Sequence, residues 1–314
     1  MFNGIFAGIT WALETVLIGW VLTTSPFAST EQALFLAPFV STFLHDLFSA
    51  IFLFVYNAVK RNFKNVIGAI KTADFKWIIV SSLIGGPIGM TGYVLAVNNL
   101  GASIGAVASA IYPAIGTVLA YIFLKEKVKW YQWIFLVLTL CGVYGLSYSP
   151  SVNVENFVLG LVGVFMCAFG WGIEAVILTK TLKNAEINKE SVLTIRQTVS
   201  ALSYGIIILP IVGGWNFTLN LFTISTGGLF PVLALAALSA SVSYLFYYRA
   251  LHKVGAAKAM SLNITYTAWA IVFSILIFGD YSIINPLTLI CACLVVICGI
   301  LAATDFKELI KKKD

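Results

Sequence analysis

The chain has 314 residues, of which 60% are hydrophobic and 10% charged, and its mean hydropathy is +0.96. Soluble domains carry about a quarter charged residues, so this composition excludes a water-soluble globular protein and makes lipid the solvent. The net charge of +6 does not point to nucleic acid, because the basic residues sit in loops between apolar runs, where the positive-inside rule accounts for them.

At about 20 apolar residues and a short loop per crossing, roughly ten membrane spans fit this length. Apolar runs of spanning length fall near 4–24, 34–58, 76–97, 102–124, 130–149, 157–180, 191–212, 228–250, 257–279 and 286–304. The first run contains Glu14 and no Lys or Arg precedes it, so it reads as a membrane helix and not as a cleavable signal. The third contains Gly85-Gly86-Pro87-Ile88-Gly89, which is predicted to kink or break it. Pro87, and Pro113 in the fourth run, are expected to border a central pathway, since a freed backbone carbonyl is tolerated where it lines a cavity. The eighth run has an indefinite start after Gly227-Gly228. The five cysteines (Cys141, Cys167, Cys291, Cys293 and Cys298) all lie within apolar runs without a CxxC pair. They read as small buried hydrophobes, with no disulfide framework and no metal site.

With the N-terminus in the cytoplasm and ten alternating spans, both termini are cytoplasmic. The inside loops then collect 18 of the 19 basic residues. The outside loops carry only Glu31, Glu155 and Asp280, and the remaining basic residue, Arg196, lies within the seventh run. So one-sided a distribution supports both the span count and the orientation.

The chain also repeats. Residues 93–126 align with 247–280 at an offset of 154: Tyr93 meets Tyr247, Tyr112 meets Tyr266, and Glu126 meets Asp280. Trp11-Ala-Leu-Glu14 matches Trp171-Gly-Ile-Glu174 at an offset of 160. The chain therefore reads as an all-α integral membrane protein of ten transmembrane helices in two five-helix repeats, residues 1–150 and 151–314. An odd number of helices inverts the second repeat in the membrane. Inverted repeats are typical of transporters, with the substrate site near the midplane where the halves meet.

Five ionisable residues fall inside apolar runs: Glu14, His45, Asp46, Glu174 and Arg196. Each is costly there, which makes each a functional candidate. Glu14 and Glu174 each follow a tryptophan by three residues, so each repeat sets an indole and a carboxyl on one helix face. That pairing suits a cation, which the ring face attracts and the carboxylate balances. Tyr93, Tyr112, Tyr244, Tyr247, Tyr248, Tyr266 and Trp269 are further candidates, against the alternative of ordinary helix packing. A carboxyl in a low dielectric can also take up a proton near neutral pH, so Glu14 and Glu174 could couple proton movement to cation movement. His45 could relay the proton. Arg196 could snorkel or pair with Asp46, Glu174 or a loop residue, and the alternative for His45, Asp46 and Arg196 is a structural lock or gate. There is no HExxH, GxSxG, P-loop or strand-borne GxGxxG motif, so no enzyme is expected and no cofactor.

Ten spans in two inverted halves, with Gly101-Ala-Ser-Ile-Gly-Ala-Val-Ala-Ser-Ala-Ile-Tyr-Pro-Ala114 followed by Phe-Leu-Lys-Glu-Lys, resemble the drug/metabolite transporter superfamily, EamA type. Gly86-Pro-Ile-Gly-Met90, His45-Asp46, Trp171-Gly-Ile-Glu174, Ile195-Arg-Gln197 and Ser243-Tyr-Leu-Phe-Tyr-Tyr248 look closest to LicB-type bacterial choline transporters. The resemblance implies proton-coupled choline uptake through an aromatic cage of Trp11, Trp171 and Tyr244, with Glu174 as counter-charge and Tyr112 and Trp269 as neighbours. One departure is Glu14, where the choline branch carries a small residue. A second carboxyl would shift preference toward a primary amine or a dication, or alter proton stoichiometry.

The expectation is thus a multi-pass secondary transporter of a small organic cation in a bacterial plasma membrane, monomeric, with protons and membrane lipid as its other partners. The alternatives are an exporter of amino acids, drugs or metabolites and, more remotely, a non-transporting scaffold or an intramembrane enzyme.

Overall fold

The computed structural model describes residues 1–100, 102–147, 156–223, 228–279 and 281–306, without the side chains of 102–109 and 282. Asp280, Glu155 and the basic tail of 307–314 lie outside the described residues. So do Gly101 and most side chains of the fourth-span pattern.

The described residues form helices and no strand. We number them α1 (Phe2–Thr23), α2 (Glu31–Val59), α3 (Phe63–Lys71), α4 (Phe75–Leu100), α5 (Ala102–Phe123), α6 (Trp130–Ser147), α7 (Phe157–Thr181), α8 (Lys189–Val212), α9 (Trp215–Thr223), α10 (Leu229–Val254), α11 (Ala256–Phe278) and α12 (Pro286–Ala303). Among the described residues, nine of these are long and apolar enough to cross a membrane. α5 is 22 residues long and apolar from Ala110 to Phe123. The short helices α3 and α9 occupy connections that the apolar runs left blank. Their ends follow local chemistry: Thr30, Asn156, Asn188 and Asn285 each accept the backbone N–H three residues on, so the cap side chains set where α2, α7, α8 and α12 begin.

In lipid every backbone polar group needs a partner within the protein, which is why the apolar segments among the described residues are helices. Helix association then depends on close approach. α7 packs against α4 and α5, and α1 packs against α10 and α11. Glycines line these contacts. A Cβ on Gly92 of α4 would lie 2.6 Å from the Cys167 backbone nitrogen, and one on Gly170 of α7 would lie 2.9 Å from Gly89 Cα. On the other side, a Cβ on Gly8 would reach 3.1 Å from the Asn263 carbonyl oxygen. α2 packs against α8 and α10, α4 against α8, and α6 against α12.

Two expectations are narrowed by the structure. Of the kink or break expected at the Gly-Gly-Pro stretch, the break does not occur; α4 runs on through a π-turn at Ile84–Ile88. Pro87 lacks an N–H, and Gly89 N–H reaches Ile84 O five residues back, so a one-residue widening absorbs the proline that would otherwise break the helix. A second π-turn, Tyr204–Ile208, lies in α8 just before Pro210. The cysteines are all free, but only Cys167, Cys291 and Cys298 are buried. Cys141 and Cys293 are exposed on α6 and α12, because an outward face bathed in lipid accepts the same small apolar side chain as a core does.

Candidate functional site

The five ionisable residues of the apolar runs converge on one buried chain that crosses four helices. Glu14 of α1 has its Oε1 3.7 Å from His45 Nε2 of α2. His45 Nδ1 lies 2.9 Å from Asp46 Oδ1. Asp46 Oδ2 faces Arg196 Nη1 of α8 at 3.9 Å, and Arg196 Nε donates to Glu174 Oε1 of α7 at 2.9 Å. All five are at most 8% exposed. Arg196 does not snorkel. It is held by Glu174, by the neighbouring Gln197 Oε1, and by the Tyr244 ring, whose centroid is 4.9 Å from the guanidinium carbon. A charge so far from water is tolerable only with partners of this kind.

Beside the chain lies a cavity of about 70 Å³. Seven of its thirteen lining residues are aromatic, among them Trp11, Tyr112, Trp171 and Tyr244, and Glu174 is the one ionisable residue on its wall. The rings brace one another. Trp11 meets Tyr244 edge-on at 5.0 Å, Trp171 meets Tyr112 edge-on at 5.7 Å, and Tyr93 stacks on Trp171 at 6.1 Å. Edge-on pairs leave ring faces for other contacts. Trp171 is fixed further by its Nε1–H, which donates to Gly85 O in the π-turn at 2.9 Å. The glycine is required by proximity. A Cβ at Gly85 would fall 1.9 Å from Glu174 Oε2.

Trp11, Tyr112, Trp171, Glu174 and Tyr244 thus share one cavity. Tyr93 stands behind Trp171, and Trp269, whose buried Nε1 has no hydrogen-bond partner, is not a lining residue. Glu14 also lies off the cavity, on the far end of the ion chain, bonded through Thr15 Oγ1 at 3.3 Å. His45, Asp46 and Arg196 connect the two carboxylates. Reading for ionisable and aromatic groups missed five wall residues, Met90, Ala175, Leu178, Ser243 and Asn263. Met90 carries no polar signal. Asn263 does: it is an amide inside an apolar run, just before the turn that divides α11 at Ile264–Thr265. Its Nδ2 donates to Tyr112 OH at 3.2 Å, while its Oδ1 has no partner.

An apolar helical bundle with a small aromatic cavity and a buried charge network defines a multi-pass membrane protein that accommodates a small solute. The chain belongs to the EamA-like transporter family, whose model matches residues 1–148 and 158–304. It is 28% identical over 287 residues to Protein LicB of Haemophilus influenzae, covering 91% of each chain. A protein of known crystal structure superposes with a TM-score of 0.72 over 100% of this chain and 98% of its own, at 14% identity; that likeness concerns the fold alone.

Proposed function

We propose that this protein is a secondary active importer of a small organic cation, choline or a related quaternary amine, driven by protons. The observation that carries the reading is the cavity wall, on which one carboxylate, Glu174, sits among Trp11, Tyr112, Trp171 and Tyr244. A quaternary ammonium has no N–H to donate. It is held by ring faces and by a nearby negative charge. A charge-free apolar cavity would favour an exporter of uncharged or aromatic solutes; this one carries a carboxylate. The identity to Protein LicB agrees with the branch that the sequence motifs resemble.

The bundle itself is read as ten spans in two inverted halves, 1–150 and 151–314, with both termini in the cytoplasm. Helix packing supports this. Exchanging the halves turns the α1 contacts with α10 and α11 into those of α7 with α4 and α5, and turns α2 with α10 into α8 with α4. The α2–α8 and α6–α12 contacts map onto themselves.

Charge counting supports proton coupling. The buried chain holds three carboxyls, Glu14, Asp46 and Glu174, against one guanidinium and one imidazole. With all three ionised and His45 neutral, three negative charges face one positive charge. One substrate cation at Glu174 and one proton at the Glu14–His45 pair would balance the remainder, a condition that a dry site enforces strongly. In this scheme Glu174 is the substrate counter-charge, Trp11, Trp171 and Tyr244 supply the ring faces, and Glu14 and His45 carry the proton.

The test is uptake of radiolabelled choline into proteoliposomes holding the purified protein, with and without an inward proton gradient, beside Glu174→Gln and Trp171→Ala. Gradient-stimulated uptake that both variants lose is the expected result. A folded protein that neither binds nor transports choline would overturn the assignment.

A further inference from the structure

Glu174 stands between two cation positions. It lines the cavity. Its Oε1 also lies 2.9 Å from Arg196 Nε, and the guanidinium carbon is 4.9 Å from the Tyr244 ring centroid. A carboxylate at hydrogen-bond distance and an aromatic ring within about 6 Å are what hold a cation in a dry site. Arg196 already uses both. It is not itself part of the cavity wall, so it engages the same two groups from behind.

A second carboxylate waits within reach. Asp46 Oδ2 lies 3.9 Å from Arg196 Nη1, beyond hydrogen-bond length but close enough for strong attraction in a low dielectric. Asp46 is steadied on its other oxygen by His45 Nδ1 at 2.9 Å. The guanidinium is therefore bonded to one carboxylate and just short of another, and the two carboxylates come from different helices, α7 and α2.

We propose that Arg196 is a tethered counter-ion that competes with the substrate for Glu174. It neutralises Glu174 while the cavity is empty and passes to Asp46 when a substrate cation enters. This rests on the cation-importer reading above and adds a step to it. A bare carboxylate in a dry bundle is costly, and a carrier must also change conformation when empty to complete a cycle. An internal cation on Glu174 makes that empty return possible. Net uptake needs the empty return; exchange of internal for external substrate does not. A mere helix lock between α7 and α8 would affect both alike.

The experiment compares the full-length wild type with Arg196→Gln, Arg196→Lys and Asp46→Asn. It measures choline affinity by calorimetry in detergent, and net uptake and choline–choline exchange in proteoliposomes. Losing its competitor, Arg196→Gln is expected to bind choline at least about tenfold tighter, ~1.4 kcal/mol, while net uptake falls at least about tenfold more than exchange. Arg196→Lys is expected to restore part of the net uptake. In Asp46→Asn the arginine has no second partner and stays on Glu174, so choline binds about tenfold more weakly. Unchanged or weaker choline binding by folded Arg196→Gln, or an equal fall of exchange and net uptake, would overturn the proposal. Should Arg196→Gln not fold, Asp46→Asn decides, and unchanged affinity there overturns it. Failure of the wild type to bind choline is a different result: it removes the substrate reading and this step with it.

Discussion

Gly85→Ala tests the geometry of the Glu174 carboxylate. The added Cβ would fall 1.9 Å from Glu174 Oε2, and ordinary contact begins near 3.4 Å, so the carboxylate must retreat by about 1.5 Å. The end of a Glu side chain can move, so the helix need not unfold. The cost is electrostatic. Glu174 Oε1 is 2.9 Å from Arg196 Nε. Stretching that pair by the same amount lowers its attraction from ~6 to ~4 kcal/mol at an effective dielectric of 20. The loss of about 2 kcal/mol corresponds to about thirtyfold in an equilibrium constant. Thermal unfolding of the purified protein in detergent measures the loss, and calorimetry is expected to show tighter choline binding, since the arginine that competes for Glu174 is held more weakly. Gly68→Ala is the matched control: a Cβ there meets nothing within 4 Å, and alanine in a helix interior is favoured over glycine by roughly 0.5–1 kcal/mol. A Gly85→Ala protein that melts and binds choline as Gly68→Ala does would refute the placement of Glu174 against the π-turn.

Two further substitutions probe separate parts of the bundle. Trp171→Phe keeps an apolar ring but removes the donor to Gly85 O at 2.9 Å; it is expected to destabilise by about 1–3 kcal/mol and to lower choline uptake, and unchanged melting and uptake would rule out a role for this bond. Glu126→Ala removes a carboxylate that accepts Ala256 N–H at 2.8 Å and Ala257 N–H at 3.1 Å at the start of α11, where Gly255 turns the chain with φ +85°. The expected loss is about 0.5–2 kcal/mol of stability, read by thermal melting, with choline affinity unaltered because the cap lies away from the cavity.

The apolar runs located the spans to within a few residues, since a bilayer imposes a length and a composition that survive in any single sequence. The run at 157–180 became Phe157–Thr181, and the run at 130–149 begins with α6 at Trp130, its last two residues lying outside the described ones. The run at 228–250 fell short of Val254, because Arg249 and Lys253 ended the apolar signal before they ended the helix. α3, with the sequence FKNVIGAIK, is too short and too mixed to register as a span. The buried ionisable residues were legible one at a time, by their cost. Their joining into one chain was not, since Glu14, Asp46, Glu174 and Arg196 come from four helices whose neighbours only packing decides. Arg196 illustrates the limit. The sequence left Asp46, Glu174 and a loop residue open as partners, and the fold brings it to both of the first two. Gly85 was read as a kink signal alone, because the demand for a missing Cβ comes from a side chain 89 positions further on.

Two of the chain's eight tryptophans, Trp11 and Trp171, stand on the cavity wall. Indole emission responds to the electric field across the ring, and both rings lie where a cation would arrive and where a guanidinium would shift. On the proposed reading, occupancy would be written into the colour of the protein's own light, and filling and emptying could be followed in unlabelled material without waiting for a solute to cross a membrane.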